Sequence, residues 1–353
     1  MKMDKVDIQL HIENIKKQLS LGQASLMVGA GFSLNADRKN SATPLPPDWN
    51  KLSDVFIQEL YGTFSEEYQK RMRQSKNVLQ LAQEYDSTFL RSKLNILVRS
   101  LIRDTELFPN ELYKKMLNLQ WHDVFTTNYD TLLERTALQI VDRNYTTIYN
   151  CKDLALSESP RIIKLHGSLH SESTHLIISE EDYRTYTSEY APFVNTVQQA
   201  IMENTLCLIG FSGTDPNFLN WAGWVRDHLG KSMSPIYLIG ILDISDSEYR
   251  VMTEKRIIPV DLSKVYDTKD HKDVLSKFFD DLESPTPESW SVKFNPFHIK
   301  DKNSSATDLI KVTNMWQEER EKYREQLDGD NEWITKFKEK QNITEVFFEL
   351  GRV

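Results

Sequence analysis

Short apolar runs that alternate with helix-like segments are the feature of this 353-residue chain that most constrains its fold. A short, uninterrupted apolar run is typical of a strand that is buried on both faces of a parallel sheet. The predicted strands are Ser25–Val28, His122–Thr126, Thr146–Tyr149, Arg161–Leu165, Leu176–Ser179, Thr205–Phe211, Pro235–Ile239 and Ile257–Leu262. Because helices separate several of these strands, the sequence predicts an α/β fold with a doubly wound parallel sheet.

Helical periodicity fills the segments between and around these strands. The predicted helices cover residues 7–20, 49–61, 192–203, 215–229 and 245–255. From about 65 to 120 the pattern is helical throughout, which predicts a helical insertion in the α/β core or a small helical subdomain beside it. The predicted division is an α/β domain over 1–264 and a mostly helical C-terminal region over 265–353. Aromatic side chains in that region either pack on the protein's own core or form an interface with another copy or a partner.

Composition limits the classes of function. Only two cysteines are present, Cys151 and Cys207, so a four-cysteine zinc ribbon is impossible and a disulfide framework is implausible. A net charge of −9 disfavours direct nucleic-acid binding, which depends on lysine and arginine. There is no apolar run of transmembrane length, and the charged, amphipathic start lacks the apolar core of a signal peptide. We therefore expect a cytoplasmic protein without a membrane association.

A Gly-Ala-Gly turn at residues 29–31 directly follows the first predicted strand. Glycine allows positive φ angles and lets the backbone approach a pyrophosphate closely. The full dinucleotide fingerprint requires a third glycine three residues after the second, where this chain has Leu34. No phosphate-loop lysine follows either. Taken alone, the turn is compatible with a nucleotide site and with an ordinary tight turn.

Polar side chains follow two further predicted strands. Asn128 and Asp130 close the stretch FTTNYD, and His166 lies within IIKLHGSLH. Each has a structural alternative: Asp130 as the N-cap of the next helix, Asn128 as a left-handed turn residue and His166 as a core histidine. A metal site of His166, His170 and His175 is a further alternative, but the glycine after His166 interrupts any helix that would align the first two.

A functional interpretation uses the three residues together. Cleavage of the glycosidic C–N bond to nicotinamide develops positive charge on a ribose, which an enzyme must orient while it positions a water and removes a proton. The Asn128 amide offers both donor and acceptor groups for the ribose or the water. A neutral His166 can accept a proton near pH 7, and the Asp130 carboxylate favours a developing cation.

Four short motifs, each after a predicted strand, occur in the order found in the sirtuin superfamily. They are GAGFS at 29–33, TNYD at 127–130, HG at 166–167 and GFS at 210–212. The chain resembles that superfamily over roughly residues 25–262. The resemblance implies a Rossmann-like sheet that binds NAD as its substrate, within a sirtuin-like domain over 1–264.

Expected roles follow from the resemblance, residue by residue. Asn128 positions the ribose or the attacking water, Asp130 contributes to NAD binding, and His166 is the general base. The residues expected to bind NAD are Gly29, Ala30, Gly31, Ser33, Thr127, Gly210, Ser212 and Asp215. Asp215 is also a candidate N-cap for the helix that follows it.

The chain departs from deacylating sirtuins in two places. It has no four-cysteine zinc module, so no zinc is expected. The sequence nearest to the family's Gly-x-Pro-Asp-Phe-Arg element is Pro47-Asp48-Trp49-Asn50. Without these two features, the chain resembles the zinc-less sirtuin-like proteins of bacterial antiphage defence. Strand-end sequences such as FTTNYDTLLE and LIGFSGTDPNF occur in that branch. That branch implies NAD hydrolysis to nicotinamide and ADP-ribose, a homo-oligomer and a HerA-like ATPase partner.

Three hypotheses from different classes are therefore open. The first is an NAD glycohydrolase that acts in antiphage defence by NAD depletion, within a complex with a HerA-like ATPase. The second is a sensor or assembly subunit that binds NAD or ADP-ribose without turnover. The third is an NAD-dependent protein deacylase or ADP-ribosyl transferase, which needs an acceptor cleft in place of the missing zinc module.

Overall fold

A seven-stranded parallel sheet forms the centre of the computed structural model, which describes residues 5–171 and 175–283. The strands in chain order are β1 Ala24–Val28, β2 Asp37–Arg38, β3 Leu107–Phe108, β4 Asp123–Thr126, β5 Thr146–Ile148, β6 Arg161–Lys164, β7 Thr205–Ile209, β8 Ile236–Gly240 and β9 Ile257–Asp261. The large sheet has the order β5-β6-β4-β1-β7-β8-β9, and β2 and β3 form a separate antiparallel pair. The predicted doubly wound parallel sheet is confirmed.

Helices lie on both faces of this sheet. Their bounds are α1 Lys5–Ser20, α2 Ala30–Ser33, α3 Trp49–Tyr61, α4 Glu66–Ser75, α5 Val78–Phe89, α6 Arg91–Ile102, α7 Glu111–Asn118, α8 Leu132–Ala137, α9 Glu180–Glu189, α10 Ala191–Glu203, α11 Pro216–Leu229, α12 Asp246–Glu254 and α13 His271–Glu283. Among these helices, none has both the length and the apolar character needed to cross a membrane.

Alternation along the central strand divides the core into two layers. Leu26 and Val28 of β1 pack with apolar side chains of α1, α7, α8 and α13. Met27, between them, faces the opposite layer, which α9, α10 and α11 complete. Helix α13 lies beyond residue 264 and still contributes Phe278 and Phe279 to the first layer. The division of the chain at residue 264 stays a prediction, and the rest of the C-terminal region lies outside the described residues.

A third apolar cluster belongs to the helical segment that precedes the second strand of the large sheet. It joins α3, α5 and α6 to Leu169, Leu176 and Ile178, which follow β6. Most of the segment 65–120 is helical, as expected, but β3 is a strand within it. This strand has only two residues and its partner β2 is equally short, so neither carries a periodic signal.

The predicted strand Leu176–Ser179 is wrong, because no strand forms there. Its apolar side chains are buried, which explains the strand-like pattern. Its backbone groups, however, bond elsewhere: the N–H of Ile177 donates to the His166 carbonyl at 3.0 Å. The N–H groups of Ile178 and Ser179 donate to the Asp182 carboxylate at 3.0 and 2.9 Å. The capping box of Ser179 and Asp182 then begins α9, a helix that the periodicity analysis did not predict.

The strand order changes direction at β1. From β1 the chain first builds the side of the sheet that contains β4, and it then crosses to the other side through β7. In open parallel sheets, the carboxyl ends of the strands that flank such a switch point form a crevice where ligands bind. The segments that follow β1, β4, β6 and β7 contain every candidate site residue of the sequence analysis.

Candidate active site

Backbone contacts hold the turn after β1 against the end of β7. The N–H of Gly29 donates to the Ile209 carbonyl at 3.0 Å, and that of Gly31 donates to the Gly210 carbonyl at 2.9 Å. A Cβ on Gly29 would lie 2.4 Å from the Gly210 oxygen. Gly210 itself has a φ of +62°, and a Cβ there would lie 2.1 Å from the Phe32 nitrogen. These glycines are therefore required by the close approach of two backbone segments, while Gly31 and neighbouring Ala30 remain exposed.

A buried hydrogen-bond network joins this turn to the end of β4. The Ser33 hydroxyl donates to Asp130 Oδ2 at 2.7 Å, and it accepts a bond from Asn128 Nδ2 at 3.1 Å. The same Nδ2 donates to the Gly29 carbonyl at 3.1 Å. Asn128 is 6% exposed, and its Oδ1 has no partner within the described part of the chain. The amide is thus fixed by its nitrogen and leaves its oxygen available as an acceptor.

Asp130 has two structural functions in the same network. Its Oδ1 accepts the Leu132 N–H at 3.2 Å, at the start of α8, while Oδ2 accepts from Ser33. Burial raises the pKa of Asp130, and the positive charge of Lys164 together with the Ser33 hydrogen bond opposes that rise. Asp130 therefore helps to begin α8, as one alternative anticipated, and it also orients Ser33 beside Asn128.

His166 follows β6, the strand that pairs with β4. Its side chain is 2% exposed, and Nε2 has no hydrogen-bond partner among residues 5–171 and 175–283. The ring packs edge-on against Tyr183 and Tyr186, with centroid separations of 5.4 and 5.6 Å. Burial lowers the pKa of His166, against the opposing charges of Asp215 and Asp182. The imidazole is therefore neutral at pH 7, with a free nitrogen.

Asp215 connects this histidine environment to the segment after β7. Its Oδ1 accepts the Phe218 N–H at 2.9 Å, so the expected N-cap of α11 is confirmed. Its Oδ2 accepts a hydrogen bond from the Tyr183 hydroxyl at 3.0 Å. Ser212 lies earlier in the same loop, is exposed, and is 2.7 Å from the Thr214 hydroxyl. Thr127, directly after β4, is partly exposed.

The candidate residues divide into those that share contacts and those that share only an edge of the sheet. Gly29, Ser33, Asn128 and Asp130 form one bonded network, and Gly31 and Gly210 lie beside it. His166 and Asp215 form a second group through Tyr183. Ser212 and Thr127 lie at the same carboxyl edge without a bond to either group among the contacts described above. Their expected roles in NAD binding stay predictions.

The histidines of the metal alternative have other partners. His170 stacks on Tyr149 with a centroid separation of 3.7 Å. His175 Nε2 lies 2.9 Å from Asp182 Oδ1, beside the Arg91 guanidinium. Within the described ranges, no three His, Cys, Asp or Glu side chains are grouped as a metal site.

The structure also identifies site neighbours that the sequence analysis missed. Tyr183 lies between His166 and Asp215 on the helix that was not predicted. Lys164 and Glu134 form a buried ion pair, with Nζ 3.1 Å from Oε1, next to Asp130. A charged residue at the end of an apolar run, two positions before His166, was the available signal for this pair.

A doubly wound α/β protein is the class that this fold defines, with a buried Asn and a buried His that follow neighbouring strands of its parallel sheet. Residues 122–256 match the family model described as a SIR2-like domain. The predicted resemblance to the sirtuin superfamily is confirmed by this match.

Curated relatives match over a larger part of the chain. It is 27% identical over 223 residues to the NAD(+) hydrolase ThsA of Bacillus cereus (strain MSX-D12), which covers 62% of this chain and 42% of the relative. It is 27% identical over 221 residues to defense-associated sirtuin 2 of Bacillus subtilis, covering 61% and 20%. The ThsA of Enterococcus faecium is 24% identical over 247 residues, covering 66% and 46%. In each case the match spans less than half the length of the relative.

Proposed function

We propose that this protein is an NAD glycohydrolase, which cleaves NAD to nicotinamide and ADP-ribose, and that it acts in antiphage defence by depleting NAD. One observation carries the proposal. Two fully buried polar atoms, Asn128 Oδ1 and His166 Nε2, have no partner in the described residues, and their residues follow adjacent strands at the carboxyl edge of the sheet. Because a buried polar atom without a partner costs free energy, a site that a ligand completes is the physical explanation.

The proposed chemistry assigns a task to each atom. The bond between ribose C1′ and the nicotinamide nitrogen breaks, and its electron pair leaves with nicotinamide. Asn128 Oδ1 accepts a hydrogen bond from a ribose hydroxyl or from the attacking water. The water oxygen bonds to C1′, and its proton passes to the neutral His166 Nε2. The products are nicotinamide, ADP-ribose and one proton, which His166 returns to solvent.

The Asp130 carboxylate near the candidate site supports a reaction with a cationic transition state. The ribose acquires positive charge as nicotinamide leaves, and a nearby fixed carboxylate stabilises that charge without reorganisation. Asp130 is held on both oxygens, and the Ser33 hydroxyl and the Lys164 charge favour its ionised form. Ala30 is exposed in the turn after β1, and the resemblance assigns this turn to the pyrophosphate.

Partners belong to the same proposal and rest on the resemblance alone. We infer a homo-oligomer and a HerA-like ATPase that assembles with it, because the zinc-less branch associates in this way. The names of the curated relatives, NAD(+) hydrolase and defense-associated sirtuin, support the activity and its setting. They do not specify an ATPase, so the association requires its own test by co-purification.

The test is NAD consumption with the products separated by chromatography, for the protein alone and with a candidate ATPase. His166→Ala and Asn128→Ala are each expected to lower turnover by roughly 100-fold to 10,000-fold, the range typical of a lost acid–base or positioning group. His122→Ala and Asn204→Ala are matched controls, because both residues lie at the amino edge of the same sheet. Wild-type turnover in a folded His166→Ala variant would contradict the assignment of the base.

The alternatives give different products. Saturable NAD binding without any turnover, with every partner present, would replace the hydrolase by a sensor. Transfer of an acyl group to ADP-ribose from acylated peptides would instead identify a deacylase.

A further inference from the structure

Lys164 is a lysine whose side chain is fully buried inside the central sheet. It is the last residue of β6 and is 1% exposed, next in sequence to the segment that contains His166. An ammonium group removed from water is strongly unfavourable unless it is paired and hydrogen-bonded. In the proposed hydrolase chemistry this charge only favours the ionised form of Asp130, so the partners of Lys164 indicate what else it does.

The partners of Lys164 lie on the segment that follows β4. Its Nζ is 3.1 Å from Glu134 Oε1 on α8, and it donates to the Asp130 carbonyl oxygen at 2.5 Å. The Ser168 hydroxyl donates to the same Glu134 oxygen at 3.2 Å. The carboxylate thus holds the ammonium in place, and the ammonium in turn holds the backbone at Asp130.

From Asp130 the connection continues to the candidate active-site amide. Asp130 Oδ2 accepts from the Ser33 hydroxyl, which accepts from Asn128 Nδ2. Only Tyr129 separates Asn128 from Asp130 in sequence, so the carbonyl that Lys164 holds belongs to the same turn as the amide. A shift of this turn would move both the free Asn128 oxygen and the Asp130 carboxylate.

We propose that Lys164, held by Glu134, is a positioning residue that fixes the turn 127–131 and so sets the orientation of the Asn128 amide. This inference rests on the proposed NAD hydrolysis for its kinetic consequence, but its structural consequence is independent of it. Lys164 acts through Asn128 and Asp130 and does not contact the substrate.

Electrostatics agrees with this geometry. Burial raises the pKa of Asp130, and the Lys164 charge opposes that rise. Burial likewise raises the pKa of Glu134, again opposed by Lys164. Removing the ammonium alone would leave two buried carboxylates without their main opposing charge. The informative variant therefore neutralises both members of the ion pair.

The test compares two double variants of the full-length protein. Lys164→Met/Glu134→Gln removes the pair beneath the turn. Arg161→Met/Asp123→Asn removes a similar pair at the first residues of β6 and β4, where the Arg161 and Asp123 side chains are 2.6 Å apart. Thermal unfolding, kcat and KM for NAD, and amide hydrogen exchange of the peptide containing 127–131 are measured for each.

We expect the Lys164→Met/Glu134→Gln variant to unfold cooperatively, with kcat lowered roughly 10-fold to 100-fold and KM changed much less, as loss of alignment predicts. Exchange of the 127–131 amides should become faster than in the wild type and in the control pair. A folded variant with wild-type exchange in this peptide would overturn the proposal, and so would a kcat no lower than that of the control.

Failure of the proposed function is distinguishable from failure of this inference. If the wild type does not hydrolyse NAD, the exchange experiment still decides whether Lys164 fixes the turn. If the double variant does not fold, Glu134→Gln alone keeps the ammonium but removes the charge that holds it. Faster exchange at 127–131 in that variant supports the inference, and unchanged exchange contradicts it.

Discussion

Ser33 connects the two polar side chains that follow β4. Ser33→Ala therefore tests whether this hydrogen-bond network holds the candidate site in place. Its hydroxyl donates to Asp130 Oδ2 at 2.7 Å and accepts from Asn128 Nδ2 at 3.1 Å. Ser33 is 2% exposed, so water cannot readily replace the hydroxyl. Alanine removes both bonds while leaving the backbone contacts of the turn unchanged.

The expected loss of stability follows from the hydrogen bonds that Asp130 and Asn128 each retain in the variant. A hydrogen bond to a charged acceptor contributes about 1.5–3 kcal/mol, and Asp130 Oδ2 loses this bond. Asn128 Nδ2 still donates to the Gly29 carbonyl, so its loss is smaller. We expect the free energy of unfolding to fall by about 2–3 kcal/mol. NAD turnover should fall by roughly 10-fold to 100-fold, because the amide loses one of its two anchors.

The pH dependence supplies a sharper test of the same substitution. Burial raises the pKa of Asp130 and the Ser33 hydrogen bond lowers it, so the variant should have a still higher pKa. A carboxyl whose pKa is raised by folding favours the native state below its unfolded pKa and destabilises it as pH rises through the folded value. The stability deficit of Ser33→Ala should therefore be larger at pH 7 than near about pH 4, close to the unperturbed aspartate value.

Urea unfolding at the two pH values, together with initial rates of NAD loss, measures these effects. Ser53→Ala is a matched control, since Ser53 is 3% exposed and its hydroxyl donates to the Trp49 carbonyl at 2.8 Å within α3. The control should lose at most about 1 kcal/mol and keep its turnover. A Ser33→Ala protein with the same deficit at both pH values and normal turnover would refute the reasoning.

Two further predictions concern His166 and the glycine contact. Because burial lowers the pKa of His166, the acid limb of a kcat/KM profile should lie below about pH 6.5, the unperturbed histidine value. Asp215→Asn should move that limb to lower pH, since the Asp215 charge raises this pKa. Gly210→Ala should cost at least about 2 kcal/mol in urea unfolding, because φ is +62° and its Cβ would meet Phe32. Gly223→Ala, with no atom within 4 Å of its Cβ, should instead stabilise α11 by about 0.5–1 kcal/mol.

The strands of the large sheet were predictable because burial on both faces leaves an apolar run in the sequence. The run Leu176–Ser179 shows the limit of that signal. Its side chains are as buried as those of a strand, but the Asp182 carboxylate accepts two of its N–H groups. Periodicity reports where side chains lie, and it does not report which group accepts a backbone hydrogen bond. For the same reason, the start of α9 directly after this run was not predicted.

The positions of the site residues were predictable from strand ends, but their contacts were not. Ser33 and Asp130 are separated by 97 positions in sequence, and their hydrogen bond exists only because β1 and β4 pair in one register. Tyr183 could not be assigned to the site while α9 was unrecognised. Lys164 and Glu134 are charged residues in apolar surroundings, a signal that indicates buried pairing without specifying the partner.

The glycines and the polar side chains carry different weight as evidence for a ligand. Gly29 and Gly210 are accounted for by backbone packing, so their presence needs no nucleotide. Other polar atoms without partners, such as those of Asn95 and Asn118, belong to half-buried side chains on helices. Asn217 and Trp221 are fully buried and also have a polar atom without a partner in the described residues, but both lie on α11. Asn128 and His166 differ because they are almost fully buried and follow neighbouring strands at the carboxyl edge of the sheet. An unpaired polar atom in such a place costs about 1–3 kcal/mol, which a bound substrate can recover and packing alone cannot.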